Sequence, residues 1–295
     1  MRGNAMKSLY TLLLVALLGL STGASARDRH LLWAVQGEHN TVWLLGSVHV
    51  LRAGEATLPT AADQAFDDAE QIVMEIDLDG ADADPLTLAT AMQSQALLPE
   101  GETLRSVLGS DYAAMNAQAG KSGLDLADLD PFAPWLVAMA VLDQELARRG
   151  YLPEHGVEQT LARRAARQGK PIEGLETAAE QFAMLASMPL PTQKRFLQMT
   201  LDESAELDQE LADMLAAWRT GNTAALAAML EQESQTFPDL YRRLTVERNR
   251  AWVQQIDEML ESRDDYLVVV GALHLVGPES VVDLLRRRGH RVTQL

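Results

Sequence analysis

The chain contains no cysteine. That excludes disulfides, lipid-modified cysteine and a thiol nucleophile, and leaves histidine and carboxylate as the only side chains that could hold a metal. Positive charge is also scarce: 25 Lys and Arg stand against 42 Asp and Glu, a formal net charge of −17. A surface this acidic repels nucleic acid and anionic lipid, so neither is an expected partner. Past the first residues no apolar stretch free of charge approaches the ~20 residues needed to span a bilayer. No long linker, low-complexity run or Ser/Pro-rich boundary divides the chain.

What is present begins with MRGNAMKSLYTLLLVALLGLSTGASA, in which Arg2 and Lys7 precede the apolar run Leu9 to Leu20 and the triplet Ala24, Ser25, Ala26 follows. This is the pattern of a secretory signal peptide, with Met1 or Met6 as the start. The expectation is cleavage after Ala26 and export to the periplasm or the medium, with no membrane span afterwards. Losing the two cations Arg2 and Lys7 takes the net charge from −17 to −19. The remaining 269 residues (295 minus 26) suffice for one large domain with a substantial core.

LLWAVQ (31–36) and TVWLLG (41–46) flank a Gly- and Asn-containing turn and read as a β-hairpin. A helix initiated at Pro59 and the strand IVMEIDL (72–78) follow. The end of the chain repeats the order: strand YLVVV (266–270), Gly271, His274, a helix started by Gly277-Pro278, a Gly289 stop and strand HRVTQL. Each unit is strand, Gly-x-x-His loop, helix, strand, the β-α-β pattern of a parallel sheet. Residues 84 to about 262 read as a large helical insertion interrupted by one strand at 170–176, before the capping box formed by Thr177 and Glu180. The sequence therefore predicts an α/β protein: a central mixed, largely parallel sheet, built from the two terminal units within one domain over residues 27–295.

LLGSVH (44–49) and VVGALH (269–274) place His49 and His274 three residues beyond a glycine, at the carboxyl ends of two strands. Ligands of open parallel sheets bind there. A glycine allows a sharp turn, so each imidazole can swing back over the sheet edge. Glu75 falls inside the predicted strand IVMEIDL, where a carboxylate is costly without compensation. Two imidazoles and a carboxylate suit a divalent ion and leave positions open for water or substrate. Glu176 ends a strand just before a capped helix, and Arg248 and Asn249 lie on a helix leading to the last Gly-x-x-His. Glu176 could point into the same cleft. Arg248 and Asn249 could steady a substrate carbonyl or an anionic intermediate. His155 and Glu158 form an i, i+3 pair at a helix start, with His155 expected to be a solvated cap residue. His30, His39 and His290 carry no signal, and Trp135, Trp218 and Trp252 sit in helical patterns as packing residues.

The ordered set GSVH, VMEID, GVEQTLARRAARQGKPIEGLETAAEQ, VERNRAWVQQI and VVVGALHLVGPESVVDLLRRRGHRV resembles the TraB/GumN family, which includes the Tiki proteases. The resemblance covers nearly all of the mature chain. For the Tiki branch it implies a metal-dependent protease in which the two Gly-x-x-His histidines and a glutamate are essential, here His49, His274 and Glu75. Where the family more often has Gly-x-Asp, Glu158 is a conservative departure. Related folds include the erythromycin esterases and the ChaN-like haem- or iron-binding lipoproteins, and one fold can host either hydrolysis or ligand binding. Two expectations follow. One is an exported hydrolase, peptidase before esterase, using Mn, Co, Zn or Fe at His49, Glu75 and His274, with Glu75 or Glu176 handling protons. The other is a non-catalytic protein that binds haem, iron or another ligand. Substrate, metal identity and oligomeric state are left open.

Overall fold

The computed structural model describes residues 30–77, 84–203 and 207–295. The signal sequence read in residues 1–26 lies outside the described residues. Six strands form one sheet: β1 (Leu32–Gln36), β2 (Thr41–Ser47), β3 (Gln71–Met74), β4 (Ile172–Gly174), β5 (Tyr266–Gly271) and β6 (Val292–Gln294), in the order β4-β3-β5-β2-β1-β6. The β1–β2 hairpin is antiparallel, and β6 runs antiparallel to β1. The pairs β2–β5, β3–β5 and β3–β4 are parallel, so β1 alone opposes the other five strands. The fold is mixed α/β with a mostly parallel sheet.

The two β-α-β units interlock rather than lie side by side. Helix α1 (Thr60–Asp68) links β2 to β3, yet β5 from the other end of the chain is inserted between those two strands. Strand β5 can hold the centre because Leu267, Val268, Val269 and Val270 are all buried, the continuous apolar run required of a parallel strand covered on both faces. Each such side chain contributes about 1.5–3 kcal/mol on burial.

The insertion supplies α2 (Pro85–Ala96), α3 (Leu104–Leu108), α4 (Tyr112–Ala119), α5 (Pro134–Arg148), α6 (Val157–Gln168), α7 (Ala178–Ala186), α8 (Leu190–Glu203), α9 (Leu207–Arg219), α10 (Thr223–Thr236) and α11 (Pro238–Tyr241). A π-helical segment, Arg242–Glu247, runs from α11 into α12 (Arg248–Leu260), and α13 (Val281–Arg287) precedes β6. Local signals set several boundaries. Thr177 and Glu180 form the expected capping box, and Asn222 accepts from the Ala225 N–H at the start of α10. The apolar residues form two clusters. One surrounds the sheet, and the other lies within the insertion around Leu104, Tyr112, Trp135, Phe196 and Phe237.

Three sequence expectations are corrected. The strand expected over 72–78 ends at Met74, so Glu75 stands just beyond the carboxyl edge, where its side chain accepts from the Gly271 N–H. The strand expected over 170–176 is only Ile172–Gly174, which leaves Glu176 likewise past the edge. The last helix starts at Val281, capped by Ser280, because Glu279 adopts φ 60. Among the described residues no helix is long and apolar enough to cross a membrane.

Candidate functional site

Strands β2 and β5 are neighbours with Ser47 opposite Gly271, so the loops carrying His49 and His274 leave the sheet side by side. The two motif glycines serve close approach, not an unusual backbone. Neither has positive φ, and Gly271 adopts φ −50, ψ 134, open to any residue. A Cβ on Gly271 would lie 3.3 Å from Glu75 Oε1, 3.3 Å from His49 Nε2 and 3.6 Å from His274 Cδ2. His49, Glu75 and His274 thus converge on one Cα, where a methyl group would fit only if Glu75 and His49 gave way by a few tenths of an ångström. A Cβ on Gly46 would meet Leu31 Cβ at 3.1 Å and Ala272 Cα at 3.2 Å, so this glycine lets the β5 loop lie close against β2.

Both imidazoles are held by their Nδ1 atoms. His49 Nδ1 lies 2.6 Å from Glu158 Oε1, which also accepts from the Ser47 hydroxyl. His274 Nδ1 lies 2.6 Å from Asn249 Oδ1, and Asn249 in turn donates from Nδ2 to the Glu279 carbonyl at 2.8 Å. A carboxylate and an amide oxygen are acceptors only, so each Nδ1 carries its proton; His274 Nε2 lies 3.9 Å from Glu75 Oε1, and His49 Nε2 faces Gly271 beside the same carboxylate. Such Nδ1 anchors are the usual means of orienting metal-ligating histidines. Asn249 is fully buried, so it positions His274 and does not face a substrate, contrary to the sequence expectation.

Arg248 sits between the carboxylates. Its Nη2 donates to Glu75 Oε2 at 2.5 Å and to Glu176 Oε1, its Nε donates to Glu176 Oε1 at 2.8 Å, and its Nη1 lies 3.2 Å from His274 Nε2. The guanidinium carbon lies 4.5 Å from the Trp252 ring centre, and that ring also lies 4.6 Å from the His274 ring. Trp252 therefore walls the site besides packing the core. Gln181 donates to Glu176 Oε1 at 2.8 Å.

The electrostatics follow from these contacts. The charge of Glu158 and its hydrogen bond hold the His49 imidazolium up to about 9. Burial and the adjacent Arg248 push His274 down to about 3, so it stays neutral. Burial would raise Glu75, but Arg248, the two histidines and the Gly271 N–H together hold its carboxyl well below the usual range. Glu158 is likewise desolvated yet lowered, chiefly by His49. With His49 and Arg248 positive and Glu75, Glu158 and Glu176 negative, the site sums to −1 (two minus three).

Sequence reasoning undervalued Glu158. Its signal was the Gly-Val-Glu triplet: a Cβ on Gly156 would collide with the His49 carbonyl oxygen, so this glycine lets the start of α6 lie on the His49 loop. The Val157 N–H donates to the Val48 carbonyl at 3.1 Å and completes the junction that delivers Glu158 to His49. His155 lies on the short turn Pro153–His155 just before it.

Among the described residues no three His, Asp or Glu side chains are arranged as a closed ligand set. His274 Nε2 is 3.9 Å from Glu75 Oε1, and Arg248 contacts both. The donor chemistry fits a cation only when His49 gives up its Nε2 proton and Arg248 Nη1 gives up His274 Nε2; two Nδ1-anchored histidines, the Glu75 carboxylate and an excess of negative charge then remain to hold it.

An open, mostly parallel α/β sheet with histidines and carboxylates at its carboxyl edge defines a class of proteins whose ligands bind at that edge. Within the class, the chain belongs to the TraB/PrgY/gumN family, whose model matches residues 31–294. It is 28% identical over 283 residues to the uncharacterized protein YbaP of Shigella flexneri, covering 89% of this chain and 96% of that protein. The YbaP protein of Escherichia coli K12 is also 28% identical, over 82% of this chain and 87% of its own length. The metalloprotease TIKI2 of Xenopus tropicalis is 24% identical over 88% of this chain and 59% of that protein.

Proposed function

We propose that this chain is an exported metal-dependent hydrolase that cleaves peptide bonds at the edge of the β2–β5 pair. The carrying observation is that His49 and His274 each have Nδ1 bound to an acceptor and meet the Glu75 carboxylate around Gly271. His49, His274 and Glu75 would hold a divalent ion, one of Mn, Co, Zn or Fe. When bound, such an ion lowers the pKa of a water molecule and polarises the scissile carbonyl. The distant likeness to a metalloprotease supports the peptide as substrate.

The chain's own residues divide the remaining work. Glu158 and Asn249 fix the tautomer and direction of the two imidazoles. Arg248 binds Glu75 and Glu176 at once and so holds the two carboxylates at one place; it would meet negative charge developing on a carbonyl oxygen only by giving up one of these bonds. Glu176, held across Arg248 from Glu75, takes a proton from the attacking water and returns it to the leaving amine. Trp252 backs both the Arg248 guanidinium and the His274 ring.

The test is metal analysis of the purified mature protein, followed by peptide hydrolysis. We expect about one divalent ion per chain, lost in His49→Ala and in His274→Ala while the circular dichroism spectrum and melting transition persist. Hydrolysis should stop on chelation and return with one of the four metals. Full metal occupancy in the double variant would overturn the proposal.

A further inference from the structure

The cleft that contains the candidate site has two chemically distinct halves. On one side of the cleft the loops at the sheet edge bring Ser47, His49, Glu75 and His274, with the apolar Val48, Val50, Ala272 and Leu273 among them, and Arg248 reaches them from α12. Its opposite side is built by the helical insertion and is apolar, including Met139 of α5, Met184 and Leu185 of α7, Met214 of α9, Leu230 of α10 and Leu244 of the π-helical segment. The polar members Gln181 and Thr245 do not break the apolar wall: Gln181 is bonded back to Glu176, and Thr245 is buried. From this segregation we infer that the apolar half is a side-chain subsite, which selects peptides carrying a large apolar residue next to the scissile bond. The inference rests on the hydrolase reading of the site and specifies its substrate.

Three observations carry it. The cavity is about 260 Å³. That is just below the ~300–1,000 Å³ of pockets that enclose drug-sized ligands, so it suits one side chain and the peptide group beside it. Next, Met139, Met184, Leu185 and Leu244 are only partly buried, so their apolar surface still meets solvent in the cleft, unlike Met214 and Leu230 behind them. Leaving such a surface open beside buried charges is costly unless something apolar covers it. Finally, the π-helical segment that delivers Leu244 also delivers Arg248, and the Leu244 carbonyl accepts from Arg248 Nη1 at 3.1 Å. One backbone irregularity therefore sets the apolar wall and the guanidinium in register, as π-bulges often do at functional sites.

The wall also predicts the kind of selectivity. Three of the six named side chains are methionine, which is unbranched and adapts to different shapes. The subsite should therefore separate apolar from polar side chains strongly and separate Leu, Met and Phe from one another weakly. A charged side chain packed against this wall would lose its water without a polar partner on the wall itself.

The test pairs binding with turnover. The metal-loaded protein, labelled with ¹³C at its methionine methyl groups, is titrated with N-acetyl-leucinamide, N-acetyl-phenylalaninamide, N-acetyl-aspartamide and N-acetyl-lysinamide. The apolar probes should shift the Met139, Met184 and Met214 methyl signals and bind at least about tenfold more tightly than the charged ones. Met184→Glu should remove that preference, and Met184→Leu should keep it with an unchanged melting temperature. Equal binding of all four probes, or an apolar preference that survives Met184→Glu in a folded protein, overturns the subsite. Matched peptides differing only beside the scissile bond form the second arm. Cleavage with no apolar preference overturns the subsite and leaves the hydrolase. Apolar binding without cleavage of any peptide supports the subsite and overturns the hydrolase.

Discussion

Gly271→Ala puts a single methyl group where His49, Glu75 and His274 meet. The backbone at φ −50, ψ 134 accepts alanine, so the cost is steric. The methyl would stand 3.3 Å from Glu75 Oε1 and from His49 Nε2, so both must withdraw by a few tenths of an ångström. Overpacking of this kind costs about 1–3 kcal/mol. Restricting the unfolded chain returns about 0.4–1 kcal/mol. The net loss should be about 1 kcal/mol, or a melting temperature lower by ~2–4 °C for a chain of this size. The damage to the site should be larger, because the 2.7 Å bond from the Gly271 N–H to Glu75 must bend as the carboxylate moves. Divalent-metal affinity, measured by calorimetry, should fall at least about tenfold, within the range seen when the support of a ligand is removed. Gly46→Ala is the control: its methyl would press on Ala272 Cα, backbone that cannot rotate away. It should cost more stability, about 2–3 kcal/mol, for a smaller loss of metal affinity. Wild-type metal affinity in Gly271→Ala, with unshifted imidazole signals from His49 and His274, would refute the convergence of the site on this glycine.

Two further outcomes follow from the charges. In Glu158→Gln the largest influence raising His49 is gone, and Glu75 and Arg248 act on it in opposite directions, so by NMR titration its midpoint should drop from about 9 towards its ordinary 6.5. A midpoint that stays near 9 would assign the effect to Glu75 instead. His274, held at about 3, refuses a proton that the unfolded chain accepts below 6.5, so its contribution to stability is complete above pH 6.5 and drains away as the pH falls towards 3. Glu75 and Glu158 weaken only below the usual carboxylate range, near 4.5, so His274→Asn should flatten the melting-temperature profile of the metal-free protein between pH 6.5 and 4.5. An unchanged slope in that window would rule out His274 as its source.

Much of the scaffold was legible because it is written in short-range chemistry. The hairpin turn, the Thr177–Glu180 box, the Asn222 cap and the apolar run of β5 each follow from neighbours in sequence. The pairing of β5 between β2 and β3 was not, since parallel register depends on burial on both faces and not on a turn. The same distinction divides the site. Two Gly-x-x-His loops beyond apolar strands were visible as a pattern, but the pattern suggested a turning role for the glycines, whereas the fold uses them for clearance. Glu75 was assigned to a strand interior because IVMEIDL alternates well, yet the strand stops where the carboxylate finds the Gly271 N–H and Arg248. Glu158 and Asn249 act at sequence separations of 109 (158 minus 49) and 25 from their histidines, and no local rule reports such partners.

The placement of β5 also governs how the molecule can come into being. Neither β2 nor β3 has the other as a neighbour, and both wait for a strand that begins at Tyr266. Most of the sheet's pairing therefore spans more than 190 residues, the long-range kind that slows folding. The helices of the insertion, with their own apolar cluster, can form earlier. A chain stopped short of Tyr266 would have half a hairpin sheet, a helical body and no place for its histidine to meet the second one. Assembly of the site is thereby tied to the arrival of β5, and a chain truncated before it should be inert however well its helices fold.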